Sequence, residues 1–137
     1  MKITGLILGG LVASVILLIG CFLLWAPGCE DTICEILYSP DRSHKVILYT
    51  RNCGATTGFG THIALAQSDE DIDDGTTIFV ADDDHGKAEG HPGYYELIDI
   101  SAKWIDDDSL ELSYDKNARL FTDKDAARGI TIIHRKR

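Results

Sequence analysis

From Ile3 to Ala26 the chain carries no charged side chain, and Ile, Leu, Val, Gly and Ala fill nearly every position. A helix rises ~1.5 Å per residue, so this run is long enough to cross a hydrocarbon core of ~30 Å. No other feature constrains the chain as much. It divides the sequence into an apolar segment, residues 1–27, and a second part, residues 28–137, that is acidic, cysteine-bearing and strand-like.

Three processing outcomes compete for the first segment. A cleaved secretory signal needs a short apolar core and a small-x-small site; here the run exceeds the usual core and no polar break precedes Trp25-Ala26-Pro27-Gly28. Leu18-Ile19-Gly20-Cys21 resembles a lipobox, in which Cys21 is acylated and becomes the new N-terminus. The apolar run continues through Phe22-Leu23-Leu24-Trp25, where a lipoprotein turns polar, and cysteine is an ordinary apolar filler of spanning helices. The favoured reading is an uncleaved signal anchor spanning the bacterial inner (cell) membrane once through residues 3–26. Lys2 lies on one side and Glu30, Asp31 and a chain of net charge −9 on the other. Positive residues stay in the cytoplasm, so the C-terminal domain faces outward. Trp25 occupies the place of an interfacial aromatic.

About 110 residues remain beyond the anchor, close to the commonest domain size. Their acidity argues against nucleic acid and against electrostatic attachment to anionic lipid. The basic terminus, His134 to Arg137, reads as a solvated tail.

Strand signals recur along the domain. Glu35–Tyr38 and Lys45–Thr50 flank the turn Ser39-Pro40-Asp41-Arg42-Ser43. Thr61–Ala66, Thr76–Ala81, Tyr94–Ile100 (running on to Trp104), Leu110–Tyr114 and Ile130–Ile133 follow. About seven short antiparallel strands with turn-rich connections predict an all-β sandwich or open barrel behind one transmembrane helix. Thr122–Gly129 fits either one helical turn or a hairpin loop. No helix is long enough for a βαβ crossover, which excludes a nucleotide-binding α/β fold. Ser39-Pro40-Asp41 and Asp106-Asp107-Asp108 precede similar strands, an echo of hairpin chemistry without a propeller.

Three cysteines lie outside the membrane: Cys29, Cys34 and Cys53. An oxidising compartment favours a disulfide and leaves one thiol over. If the Pro-Asp turn joins two antiparallel strands, opposed residue numbers add to about 82 or 83. Cys29 with Cys53 fits; Cys34 then faces position 48 or 49, unless a bulge moves the register.

Two stretches can carry chemistry. Arg51 to Thr61 holds Gly54, Thr56, Thr57 and Gly58, candidates for a ligand loop because glycines permit left-handed backbone and threonines offer hydroxyls. It lacks the Gly-Lys-Ser/Thr ending of a phosphate loop, and a disulfide-pinned turn accounts for most of its letters. Asp82-Asp83-Asp84-His85-Gly86 ends an apolar strand. Alternation puts Asp82 and Asp84 on one face, and with His85 they are weak candidates for a hard cation such as calcium. Asp69 to Gly75 fails the spacing of an EF-hand. Both acidic runs read first as solvated loops, and no metal or cofactor is expected.

No Gly-x-Ser-x-Gly, His-Glu-x-x-His or Cys-x-x-Cys occurs. Cys53 paired with His62 or His85 would make a thiol nucleophile and base, but a disulfide consumes the thiol. No catalytic residue is named.

The segments Ser39-Pro40-Asp41, Arg51-Asn52-Cys53-Gly54-Ala55-Thr56-Thr57-Gly58-Phe59 and Ala81-Asp82-Asp83-Asp84-His85-Gly86 resemble a family of small uncharacterised bacterial envelope proteins. In that family a signal or lipid-attachment segment precedes a short β domain. A cysteine upstream of the turn accompanies the one in the Cys-Gly-Ala-Thr-Thr-Gly segment. The resemblance spans roughly residues 34 to 121 and implies fold and location, without an activity. Arg42 stands where the family has glycine, which implies an altered turn.

The sequence therefore points to a non-enzymatic, membrane-tethered extracytoplasmic domain binding an envelope protein or wall component through loops 53–61 and 82–91. The alternatives are a cation-binding lipoprotein domain, a membrane-anchored immunity protein against a basic toxin and a thiol-dependent envelope enzyme.

Overall fold

The computed structural model describes residues 2–24, 28–54 and 59–137. Helix α1 covers Lys2–Leu24. Its large apolar side chains from Ile3 to Leu24 are exposed, and Ile3–Leu24 is long and apolar enough to cross a membrane. A membrane anchor and a signal sequence both fit such a helix.

The rest is all β. Nine strands follow: β1 (Glu30–Tyr38), β2 (His44–Asn52), β3 (Phe59–Gln67), β4 (Thr76–Asp82), β5 (Ile100–Asp106), β6 (Ser109–Tyr114), β7 (Arg119–Asp123), β8 (Ala126–Ala127) and β9 (Ile130–Lys136). They form a five-stranded sheet, β1-β2-β3-β4-β7, and a four-stranded sheet, β5-β6-β9-β8. Alternation along the strands sends Val46, Leu48, Ile63, Leu65 and Phe79 from the first sheet and Ile100, Leu110, Leu112, Tyr114, Ile130 and Ile132 from the second into one shared core. The Phe79 and Tyr114 rings meet 4.9 Å apart between centroids, at a tilt of 52°. Each buried Leu, Ile or Phe contributes roughly 1.5–3 kcal/mol relative to exposure, which makes this layer the main source of stability.

β1 and β2 pair as the turn predicts, from Glu30 opposite Asn52 to Tyr38 opposite Lys45. The register slips by one between Ile33 and Glu35, so the extra residue of the bulge is Cys34, which faces neither 48 nor 49 but packs on the core. The turn closes on Asp41, whose carboxylate accepts from the Ser43 N–H and from the Ser39 and Ser43 hydroxyls; these bonds hold it down at about 2. Arg42 takes φ +58°, a conformation glycine adopts freely, and lays its guanidinium 4.9 Å from the Tyr38 ring centroid. The Asp41 N–H donates to Asp107 Oδ1 at 2.9 Å, so the two Asp-bearing turns whose sequences echo each other are in contact.

Two expectations need correction, and one open choice is decided. Tyr94–Asp99 is not strand: the Ile98 N–H donates to the buried Thr61 hydroxyl, the His91 N–H to the Leu97 carbonyl and the Asp99 N–H to the Glu89 carbonyl. These bonds fold residues 83–99 into a loop before β5 begins. Of the two readings of Thr122–Gly129 the hairpin holds: β8 and β9 are joined by Arg128 and Gly129, both at positive φ as a type I′ turn requires. And the strands are not all antiparallel, because β6 and β9 run parallel. A parallel pair needs a long crossover, and residues 115–129 supply it through β7 in the other sheet.

The sheets also meet at an edge, where Trp104 Nε1 on β5 donates to the Leu37 carbonyl on β1 at 3.1 Å. Replacing Trp104 by Phe keeps the ring and removes the donor. The urea midpoint, followed by circular dichroism, should drop by the equivalent of about 1 kcal/mol.

Candidate functional site

The structure joins Cys29 to Cys53, with Cα atoms 4.0 Å apart. This bridge fastens the start of β1 to the end of β2, beside the point where β3 begins at Phe59. Of the predicted ligand-loop residues, Gly54 is described, with φ +114° and its N–H donating to the Asn52 side chain at 3.0 Å. Thr56, Thr57 and Gly58 lie outside the described residues.

A ladder of side chains crosses the outer face of the larger sheet at this end. Arg51 grips Asp31 with two bonds, Nε to Oδ1 at 2.6 Å and Nη2 to Oδ2 at 2.7 Å. That contact lowers the Asp31 carboxyl below its usual range. Next to Arg51 on the same face is Tyr49, and across from Tyr49 is His62, their rings 5.2 Å apart and 29° from parallel. The imidazole leans back over Gly60, where a Cβ would stand 3.0 Å from His62 Nε2, a tight approach that a larger residue would meet only by shifting the ring. His62 Nδ1 is buried without a hydrogen-bond partner among the described residues. Burial pushes the imidazole below its ordinary value of 6.5, and the Arg51 guanidinium pushes the same way.

Of the weak cation candidates Asp82, Asp84 and His85, the two aspartates are paired with basic side chains. Asp82 ends β4 opposite Arg119, which forks it through Nε to Oδ1 at 3.0 Å and Nη2 to Oδ2. Burial works to raise the Asp82 carboxyl, but Arg119 and the Asp84 N–H outweigh it and the net direction is down. Asp84 pairs with Lys87 at 2.7 Å and lies 3.7 Å from Arg119. Asp82 and Asp84 thus do face one side, but through an Asx turn with Asp84 and His85 at positive φ, not through strand alternation. Among the described residues no three His, Cys, Asp or Glu side chains stand close enough to hold a metal ion.

Two hollows open here. One, of about 310 Å³, lies on the sheet's outer face and is lined by Arg51, Cys53, His62, Arg119, Phe121 and Phe59. The other, of about 480 Å³, is roofed by the 83–98 loop with Asp83, His91, Tyr94, Tyr95 and Glu96. Phe59 lines both. The two loops that the sequence singled out therefore meet at one side chain. The walls are aromatic with a few charged groups, the make-up of a binding cleft. Glu96 is held at φ +73° and its carboxyl is pushed up by desolvation.

For covalent chemistry the site has less to offer. The Cys53 sulfur, which shares the smaller hollow with His62, is bonded to Cys29. The other cysteine of the domain, Cys34, has its thiol pushed up by burial, away from the thiolate. Sequence reasoning missed His62 as a stacked ring, the Arg119–Phe121 wall and the lining role of residues 94–96. The only sequence signal was the Gly60-x-His62 spacing, which alternation places on one face.

No family model, curated protein or solved structure matches the chain.

Two measurements follow from this geometry. Because the folded His62 imidazole sits below its unfolded value, the unfolded chain takes up the proton first as pH falls. The stability contribution is complete above about 6.5 and declines as the pH drops below it. The urea midpoint should fall from pH 7 to 5.5, and His62→Gln should flatten that slope. Opening the disulfide releases the loop between residues 29 and 53, and reduction should lower stability by about 3.5 kcal/mol on the chain-entropy relation, read as the urea midpoint with and without reductant.

Proposed function

We propose that the chain is a membrane-tethered extracytoplasmic domain of the bacterial envelope that acts by non-covalent binding, holding a partner protein or wall component at the Phe59 end of the sandwich. One observation carries this reading: the 53–61 and 82–91 segments, far apart in sequence, converge so that Phe59 lines both hollows. The Cys29–Cys53 bridge supports a location outside the cytoplasm, since such bonds persist in oxidising compartments. The apolar α1 supports a tether in the inner membrane, with acylation at Cys21 as the variant in which the chain begins there.

The resemblance to small envelope proteins belongs to the same proposal. A calcium role for Asp82, Asp84 and His85 has less support, because Arg119 and Lys87 already answer the carboxylates. A thiol enzyme has less still, because Cys53 carries no free sulfur in the bridged state.

Co-purification from intact membranes under mild extraction tests the proposal. The native chain should bring an envelope component with it, and Phe59→Ala should lose it. A chain recovered alone under several extractions would sink the reading. In parallel, a melting curve unchanged by calcium or chelator is expected, as is an unreduced protein in which Cys53 resists alkylation.

A further inference from the structure

The strand register fixes which end of the sandwich faces the tether. Glu30 pairs with Asn52, Asn52 with Phe59, Thr61 with Ala81, and Asp82 with Arg119. All of these lie at the end where the chain arrives from α1. In the second sheet Ile100, Tyr114 and Lys136 align, and the Ile98 N–H bond to Thr61 brings that row to the same end. The turns at 39–43, 68–75 and 106–108 mark the opposite end, where Asp41 meets Asp107.

The tether is short. Residues 25–28 separate the last residue of α1 from Cys29, which the disulfide pins to Cys53. Five peptide steps reach at most about 18 Å. About 5–8 Å of that lies within the headgroup layer if α1 spans a bilayer. This end of the domain is thereby confined to the neighbourhood of the membrane surface, whatever path the linker takes.

At this end stand exposed aromatic side chains that the core does not use. Tyr95 is 91% exposed, Phe121 61% and Tyr94 37%. Tyrosine is enriched at the membrane–water boundary because its ring prefers the apolar side and its hydroxyl the wet side. Charge does not favour the contact: at the near end Asp31, Asp82, Asp84 and Asp99 are each paired with an Arg or Lys, but Glu30, Asp83, Glu89 and Glu96 stand beside them. The contact this end offers a headgroup layer is therefore aromatic rather than electrostatic.

We propose that the near end of the domain docks on the headgroup layer of the bilayer that holds α1, with Tyr94, Tyr95 and Phe121 as its interfacial contacts. Docking holds both hollows beside the membrane surface, so the component they bind is one presented at that surface. The inference rests on the reading of residues 3–26 as an anchor.

The test uses the full chain in phosphatidylcholine nanodiscs carrying a lipid with a photoactivatable diazirine near its headgroup, with cross-links located by peptide mass spectrometry. Label on the peptides containing Tyr94–Tyr95 and Phe121, besides label within residues 3–30, is the expected result. The double variant Tyr95→Ser, Phe121→Ser should lose most of the loop label, severalfold against the native chain. Both side chains are exposed, so the core is untouched; a circular dichroism spectrum like that of the native chain checks this. Label confined to residues 3–30 would leave the anchor in place and overturn docking. Equal label on the far turn at 106–108 would overturn the orientation. Label missing from residues 3–30 as well would remove the anchor reading and the docking with it.

Discussion

The structure depends on the burial of β2 from both sides. Val46 to Thr50 are all buried, five consecutive residues that no half-solvated strand would show. Val46 and Leu48 face the second sheet, while Ile47 and Tyr49 face outward. A strand with apolar groups on both faces must find two covers, and the sandwich supplies only one. The outer cover is improvised. At the far end Ile72, from the short 3-10 helix Ile72–Asp74, lies over Ile47 and Ala64. At the near end Tyr49 is covered by His62 and flanked by Arg51.

That second cover is a polar one, and the cleft arises there. A histidine laid over Gly60 completes the packing of Tyr49 at the expense of a buried nitrogen without a partner. The ladder Asp31, Arg51, Tyr49, His62 therefore couples a packing solution to a titratable group on the wall of the smaller hollow. Arg119 and Asp82 form the opposite wall, and Phe59 connects it to the loop. Structural need and binding potential share the same side chains.

Much of the fold was legible. Strand content, the Pro-Asp hairpin and the Cys29–Cys53 pairing follow from alternation, turn chemistry and a register count, all of them local. Even the bulge falls at one of the residues whose partner was in question, Cys34. The errors share one cause. Tyr94–Ile100 alternates like a strand, yet the His91 and Asp99 donors close a local loop on Leu97 and Glu89, and the Ile98 N–H is held by Thr61, 37 residues away, a contact no window of sequence contains. The short β7 and β8 form because a strand edge and a partner await them. β6 and β9 are parallel because the chain visits the other sheet between them.

The sequence by itself determined an apolar segment of spanning length, an all-β acidic domain behind it and the cysteine pair that ties one hairpin. These are properties of composition and short-range periodicity, which act along the chain. Only the tertiary structure decided that the two glycine- and aspartate-bearing loops meet at Phe59, that Arg119 neutralises Asp82 and that the exposed aromatics stand at the end nearest α1. Each of those joins residues from different strands. Their proximity comes from which strand pairs with which, and that choice is made by burying the two apolar sheet faces together.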